Sequence, residues 1–347
     1  NALYDSQVQL LKLLNGEVVL INSLKYNMFV PEQIARRRLY QALSFEGVEA
    51  VYPLYTNEAN WKNPDTREIR PLRVLAFNLN DPVLNLPEIQ PQLPLLQPTN
   101  TALMDTRSRA EVGTPQAGIE TELSERNIRI VGTFTLGTDF ASGNGNLVMS
   151  DRNFIRYFNA DSPDAEARTL STVDIGLLKL SDKADPAAVV AALRQNLPND
   201  VSVLTRDEFV NQELTYWREN TNIGFVFSLL TAMGFIVGII LVYQILYTDV
   251  ADHWAEYATL KAMGYSNFYL LGVVMQEAAL LTALGFLPGW AISVVLYQST
   301  ADATGLLMRM TSDRALGMLA ATFVMCLISG AIAVRKVQAA DPAEVFG

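Results

Sequence analysis

The sequence is poor in the side chains that most often carry catalysis or bind metals. It has one cysteine and one histidine among 347 residues, and only 18% of its residues are charged. A disulfide within the chain is therefore impossible, and a zinc site with two or more histidines is excluded. A Ser-His-Asp triad could be built only around His253. The loop G-x-x-x-x-G-K-[ST], which cradles nucleotide phosphates, does not occur.

Charged residues are absent from three long stretches of the chain. No Asp, Glu, Lys or Arg occurs in 29 residues at 220–248, in 24 residues at 278–301 or in 20 residues at 315–334. A helix of about 20 apolar residues crosses the hydrocarbon core of a bilayer. The sequence therefore predicts an integral membrane protein with three spans, and it excludes a secreted soluble enzyme, a disordered chain and a coiled coil. The predicted spans are about 223–247, 269–297 and 316–334.

The part of the chain before the first span is acidic. Residues 1–221 carry 21 Lys and Arg against 28 Asp and Glu. Nucleic-acid binding needs a basic surface, so this balance argues against such a partner.

The same part alternates between strand and helix patterns, which predicts an α+β domain over 1–221. We expect two ferredoxin-like β-α-β halves at about 10–80 and 170–205, with an inserted lobe at about 80–170. Asp185 and Pro186 have the chemistry of a helix start. The predicted strands are 18–21, 48–55, 69–77, 128–136, 146–149, 174–180 and 201–204. The predicted helices are 31–45 and 186–197.

A stalk helix is predicted between this domain and the first span, over 206–221. Thr205 to Glu208 has the pattern of a helix cap. No helix breaker lies between Phe209 and Thr221, so we expect the helix to run directly into the span.

Several residues in the predicted spans suggest packing or a relay of movement. Gly234 and Gly238 form a small-xxx-small pair, which either lets a second helix approach closely or reflects the general abundance of glycine in membrane helices. Pro288 and Gly289 predict a kinked or two-piece second span. Glu277 either reaches the membrane interface or forms a hydrogen bond to the helix that precedes its span.

The segment between the first two spans predicts a short capped helix at 252–263. We expect Asp252 at its N-cap and Gly264 just beyond its C-terminal end. Trp254, Tyr257, Ala258 and Lys261 share one face at i, i+3, i+4 and i+7. A helix face of aromatic and small side chains suits a groove on a partner protein, although a helix resting on lipid has the same pattern.

This segment resembles a known family. Residues Glu256 to Ser266 are similar to the E-x-A-x-L-K-A-[ML]-G-x-[ST] coupling helix of MacB/FtsX-type ABC permeases, which docks into a separate ATPase. Residues Gln276 to Leu281 with Gly285 and Gly289 resemble the start of that family's third span, and 340–345 resembles its closing motif. The resemblance implies that the ATPase-coupling residues are Trp254, Glu256, Tyr257, Ala258, Leu260, Lys261, Met263 and Gly264.

Within this family the chain most resembles the DevC-like permeases, which lack a fused ATPase. The resemblance implies a glycolipid exporter, in which this chain binds no cofactor and ATP is used by the partner. The implied partners are a DevA-like ABC ATPase, a DevB-like periplasmic adaptor, a TolC-like outer-membrane channel and a second copy of the permease.

The family has four spans, and this chain has three, so we expect that a first span before residue 1 has been removed. Lys and Arg counts favour a cytoplasmic 248–268 loop by only three to two. The resemblance places residues 1–221 in the periplasm, and the 248–268 loop and the tail in the cytoplasm, for a protein of the inner membrane.

Two other functions stay open at this point. An FtsX-like transmitter would use the same movement to activate a periplasmic partner. A lipoprotein-extraction permease would remove lipidated cargo from the outer leaflet of the inner membrane.

Overall fold

The computed structural model describes residues 2–28, 30–139, 143–159, 168–220, 222–306, 308 and 310–338. The predicted closing motif at 340–345 and part of the glycine-rich turn at 142–145 lie outside these residues. The chain divides into two compact units. We call residues 1–220 with 299–308 the sheet unit, and residues 221–298 with 309–347 the membrane unit.

The sheet unit is of the α+β class. Its strands are β1 Val18–Asn22, β2 Ile34–Ala35, β3 Val48–Lys62, β4 Ile69–Phe77, β5 Thr101–Asp105, β6 Glu120–Leu123, β7 Arg126–Phe134, β8 Asn146–Ser150, β9 Thr172–Val173, β10 Ile175–Leu180 and β11 Val201–Thr205. Its helices before residue 221 are α1 Ala2–Gln7, α2 Gln9–Leu13, α3 Arg37–Leu43, α4 Asp151–Tyr157, α5 Pro186–Asn196 and α6 Arg206–Glu219. The remaining helices are α7 Asn222–Asp252, α8 Trp254–Ala262, α9 Asn267–Thr304 and α10 Ser312–Gln338.

The two predicted β-α-β halves form one ferredoxin-like sheet. Strands β11, β1, β10 and β3 lie side by side in that order, and all three pairings are antiparallel. Val18 and Leu20 of β1 share a core with Leu39 of α3, while Val19 and Ile21 share a second core with Phe209 of α6. Because helices cover both faces, β1 is apolar at consecutive positions instead of alternating.

The inserted lobe extends the same sheet. Strand β3 continues past its pairing with β10 and pairs with β4, and the order then runs β8, β5, β7, β6. Asp105, at the end of β5, is fully buried and joins three segments of the lobe. Its carboxylate accepts hydrogen bonds from the backbone of Leu136 and Gly137 at 3.1 and 2.8 Å and from the Asn146 amide at 2.7 Å.

Two local predictions in this unit are wrong. The helix predicted at 31–45 covers only Arg37–Leu43, because Ile34 and Ala35 pair instead with Val173 and Thr172 of β9. The strand predicted to stop at 55 runs to Lys62, where pairing with β4 extends it. In both cases pairing with a distant segment determines the local structure.

The stalk helix is capped as predicted but does not continue into the first span. The Thr205 hydroxyl accepts a hydrogen bond from the Glu208 backbone at 3.1 Å, and the Glu208 carboxylate accepts one from the Thr205 backbone at 2.7 Å. Helix α6 then ends at Glu219, with Asn220 at the non-helical φ −102°, ψ 3°. Asn is a poor helix former, which favours an end at Asn220.

The three predicted spans are found as helices of sufficient length and apolar character, at Gly224–Asp252, Phe268–Thr304 and Ser312–Ala333. Helix α9 is continuous across Pro288, so the two-piece alternative is wrong.

Of the glycine pair in α7, Gly238 faces Met325 of α10, whose sulfur would lie 2.5 Å from an added Cβ, whereas Gly234 has no such neighbour within 4 Å. The Ser329 hydroxyl of α10 also donates to the Ile239 carbonyl at 3.0 Å.

Residues 299–308 pack within the sheet unit. Thr138 donates from its backbone to the Gly305 carbonyl at 3.1 Å and from its hydroxyl to the Thr304 carbonyl at 3.0 Å. Gly305 has φ +70°, and a Cβ added to it would lie 2.3 Å from the Arg107 carbonyl oxygen. Only glycine fits this contact without moving the backbone.

We therefore expect Gly305→Ala to lower the thermal stability of the chain more than Gly118→Ala does. Gly118 also has positive φ, at +96°, but an added Cβ would meet nothing within 4 Å. The left-handed backbone costs either alanine about 1–2 kcal/mol, and Gly305→Ala must in addition displace a carbonyl. Thermal unfolding of both variants in the same detergent measures the difference, and equal midpoints would contradict the proposed contact.

Candidate functional site: the helix between the first two spans

The site begins with the ends of α8. Its N-cap is His253, at φ −98° and ψ 20°, with no side-chain cap, so the prediction of Asp252 at this position is wrong because α7 continues through Asp252. At the other end Gly264 has φ +93°. The backbone of Gly264 donates to the Lys261 carbonyl and that of Tyr265 to the Leu260 carbonyl, each at 3.1 Å. This is a Schellman motif, and it confirms Gly264 as the predicted C-terminal cap.

The two faces of α8 differ in exposure. Ala258 is buried, and Trp254, Tyr257, Leu260 and Lys261 are half-buried. The Tyr257 ring packs against a cluster in the membrane unit formed by Leu246, Val250, Val274, Ala278, Cys326 and Ala333. The aromatic face that the sequence predicts for a partner is thus turned towards the chain's own helices.

The opposite face of α8 is open. Its exposed residues are Ala255, Glu256, Thr259, Ala262 and Met263. Met263 is a large apolar side chain with 63% of its surface exposed. This face is the part of the short helix that remains available to another protein.

Charges are arranged favourably along α8. Glu256 lies in its first turn and Lys261 in its last, so each side chain complements the helix dipole. The His253 ring donates through Nδ1 to the Asp249 carbonyl at 3.0 Å. That hydrogen bond, with the carboxylates of Asp249 and Glu256 nearby, raises the pKa of His253.

Glu277 is half-buried and interacts with the end of α7. Its carboxyl group lies near that of Asp249 and near the Tyr257 hydroxyl. Asp249 lies in α7, four residues before His253. Asp249 is a residue that sequence reasoning missed, although it is the first charge after the uncharged stretch.

The remaining predicted positions are less enclosed. Pro288 and Gly289 lie on an exposed part of α9, and an added Cβ at Gly289 would meet nothing within 4 Å. Among the described residues, no group of three or more His, Cys, Asp or Glu side chains could hold a metal ion.

Part of this chain matches a known protein family. Residues 226–342 match the family described as FtsX-like permease C-terminal. No curated protein sequence matches the chain.

The chain is also similar to two solved structures. The periplasmic region of MacB from Actinobacillus actinomycetemcomitans aligns with 56% of this chain and 91% of its own length, at 10% identity and a TM-score of 0.38. The extracellular domain of the noncanonic ABC-type transporter YknZ from Gram-positive bacteria aligns with 54% of this chain and 99% of its own length, at 8% identity and a TM-score of 0.35.

The matched segment contains all three candidate spans from residue 226 onwards and the whole of α8. The match over residues 226–342 agrees with the resemblance of the motifs in this part of the chain to the MacB/FtsX-type ABC permeases.

Proposed function

We propose that this chain is the permease subunit of an ABC exporter, and that the exposed face of α8 docks into a separate ATPase. MacB/FtsX-like permeases work with an ATPase partner. The observation that carries the proposal is the pair of unequal faces on α8. One face is fixed to the chain's own helices, and the other presents Glu256, Thr259 and Met263 to a partner.

The packing of α8 suits it to transmit force. Tyr257 packs against residues of α7, α9 and α10, including Leu246 and Val274, and Ala258 is buried. The Schellman motif at Gly264 fixes its far end. A push on the outer face would therefore move the ends of the spans, because close-packed side chains transmit displacement.

The mechanism then follows from the connection of the helices. ATP-driven closure of two ATPase subunits moves the α8 helices of a permease dimer. The spans carry this movement to the stalk helix α6 and the sheet unit, which drives substrate into a DevB-like adaptor and a TolC-like outer-membrane channel. In this proposal the chain lies in the inner membrane with its sheet unit in the periplasm, and the DevC-like resemblance favours a glycolipid as cargo.

Met263→Asp is expected to lower the amount of ATPase that co-purifies with the chain by about tenfold, which corresponds to about 1.4 kcal/mol of binding free energy. The reason is that a carboxylate would have to be desolvated in the interface. Met263→Leu keeps an apolar side chain and should retain the complex. The measurement is co-purification with an affinity-tagged P-loop ATPase encoded nearby.

Ala258→Asp is the matched control for this experiment, because Ala258 is only 7% exposed and packs within the chain. It should lower the thermal midpoint of the permease itself, whereas Met263→Asp should leave that midpoint unchanged. An intact complex with Met263→Asp would argue that α8 rests on lipid and does not bind an ATPase.

A second prediction concerns the relay through Glu277. Glu277→Gln should reduce export while the amount of protein in the membrane stays unchanged, because the amide removes one of two neighbouring carboxyl groups, that of Glu277 on α9 beside Asp249 on α7. Asp302→Asn, at an exposed carboxylate near the other end of α9, is the control and should export normally. Export is measured as cargo released from cells, and full activity of Glu277→Gln would dismiss the relay.

A further inference from the structure

The sheet unit contains a polar cavity that the proposed function does not use. Its volume is about 220 Å³. The cavity lies between the loop after β1 and the sheet. It is lined by Lys25, Met28, Val30, Pro31, Thr56, Asn57, Glu58, Arg73, Arg168 and Asp174.

Two of the three cations on the cavity wall are already paired with carboxylates. Arg168 contacts the Asp174 carboxylate at 2.9 Å, and that carboxylate also accepts from the Thr56 backbone at 3.0 Å. Arg73 contacts Asp139 at 2.6 Å. In each pair the two opposite charges neutralise each other, so neither pair leaves a net charge for a ligand to neutralise.

Lys25 is different, because it is buried without a carboxylate partner. Only 3% of its surface is exposed, and its ammonium donates to the Val30 carbonyl. No carboxylate of the described residues lies within ion-pair distance of it. An ammonium has three donors, so donors remain for a ligand. Burial lowers the pKa of Lys25, which shows the cost of holding this charge in the protein.

Glu58 supplies the opposite charge on the same wall. It lies on β3 directly opposite Arg73 of β4, but Arg73 is held by Asp139 and by a hydrogen bond to Asn146 at 2.8 Å. The Glu58 carboxylate forms no ion pair with a cation of the described residues. Burial raises the pKa of Glu58. The wall therefore offers one unpaired cation and one unpaired anion.

We propose that this cavity binds a small zwitterion, with its phosphate or carboxylate group on Lys25 and its ammonium group on Glu58. Such a ligand neutralises both unpaired charges at once. A simple anion would leave Glu58 unpaired, and the Glu58 carboxylate would repel its negative charge. The inference does not depend on ATPase docking by α8, and its test is separate.

The test is calorimetric titration of the full chain, in a nonionic maltoside detergent, with O-phosphoethanolamine and with β-alanine. Saturable binding of at least one of them is expected. Inorganic phosphate and ethanolamine, which each carry half of the ligand's charges, should bind at least tenfold more weakly. Failure of both zwitterions to bind would overturn the proposal, and so would equal binding of phosphate alone.

Charge-removing variants test which residues make the contacts. Lys25→Gln and Glu58→Gln should each weaken binding about tenfold or more. Lys12→Gln and Glu68→Gln, which remove exposed charges elsewhere, should not. Glu58 is itself exposed enough that its variant should fold normally, and binding that is unchanged in Glu58→Gln would reduce the site to an anion site and overturn the assignment.

A free solute and a lipid headgroup share this chemistry, and nanodiscs separate the two sources. Binding of soluble O-phosphoethanolamine that persists in phosphatidylglycerol nanodiscs but disappears when phosphatidylethanolamine is included would identify the headgroup as an occupant. Binding that persists in both would identify a free solute. Loss of binding in both nanodiscs would count against the cavity as a site.

Discussion

The exclusion of charge from three long helices is the constraint on which the rest of the molecule depends. A charged side chain at the centre of a membrane helix costs about 2.5–3.5 kcal/mol on insertion scales, so charges collect at the helix ends. The end of α7 carries Asp249, and the start of α9 carries Glu277. The short α8 lies between them in the chain. This nine-residue helix and the span ends beside it therefore form one of the places where charged side chains of the membrane unit are found.

In the sheet unit, by contrast, many polar groups are buried, and these groups need hydrogen-bond or ion-pair partners inside the protein. Helices cover both faces of its central strands, so a polar side chain that enters the core has no access to water. The buried Asp105 carboxylate accepts hydrogen bonds from three donors in neighbouring segments. Arg168 forms an ion pair with Asp174, and Arg73 forms one with Asp139. Against this background, Lys25 is a buried cation whose ammonium contacts the Val30 carbonyl and, among the described residues, no carboxylate.

Patterns that depend on local chemistry were predictable from the sequence. The apolar spans, the cap at Asp185, the capping box at Thr205 and the Schellman glycine at Gly264 all follow from neighbouring residues. The ferredoxin-like strand order was also predictable, because two β-α-β patterns admit few arrangements.

Features that depend on distant contacts could not be predicted in the same way. The strand at Ile34–Ala35 exists only because β9 pairs with it. The four residues at i, i+3, i+4 and i+7 in α8 were identified as one face, but the sequence does not show that this face packs inwards. Helical spacing identifies which residues lie together, while the surface they contact depends on α7, α9 and α10. The cavity brings together residues from 25 to 174, a separation that no local pattern can indicate.

One buried carboxylate links the stalk helix to that cavity. Glu213 of α6 is fully buried, and it accepts hydrogen bonds from the Met28 backbone at 2.9 Å and from the Trp217 indole at 2.8 Å. Gln212, its neighbour in α6, donates to the Lys25 carbonyl at 3.2 Å. The loop that presents Lys25 to the cavity is thus held to α6 by two hydrogen bonds. The bond from Met28 to Glu213 is buried, and leaving a buried group of this kind unsatisfied costs about 1–3 kcal/mol. A displacement of α6 must therefore either carry Lys25 with it or break these bonds, so the position of the stalk and the shape of the cavity cannot vary independently.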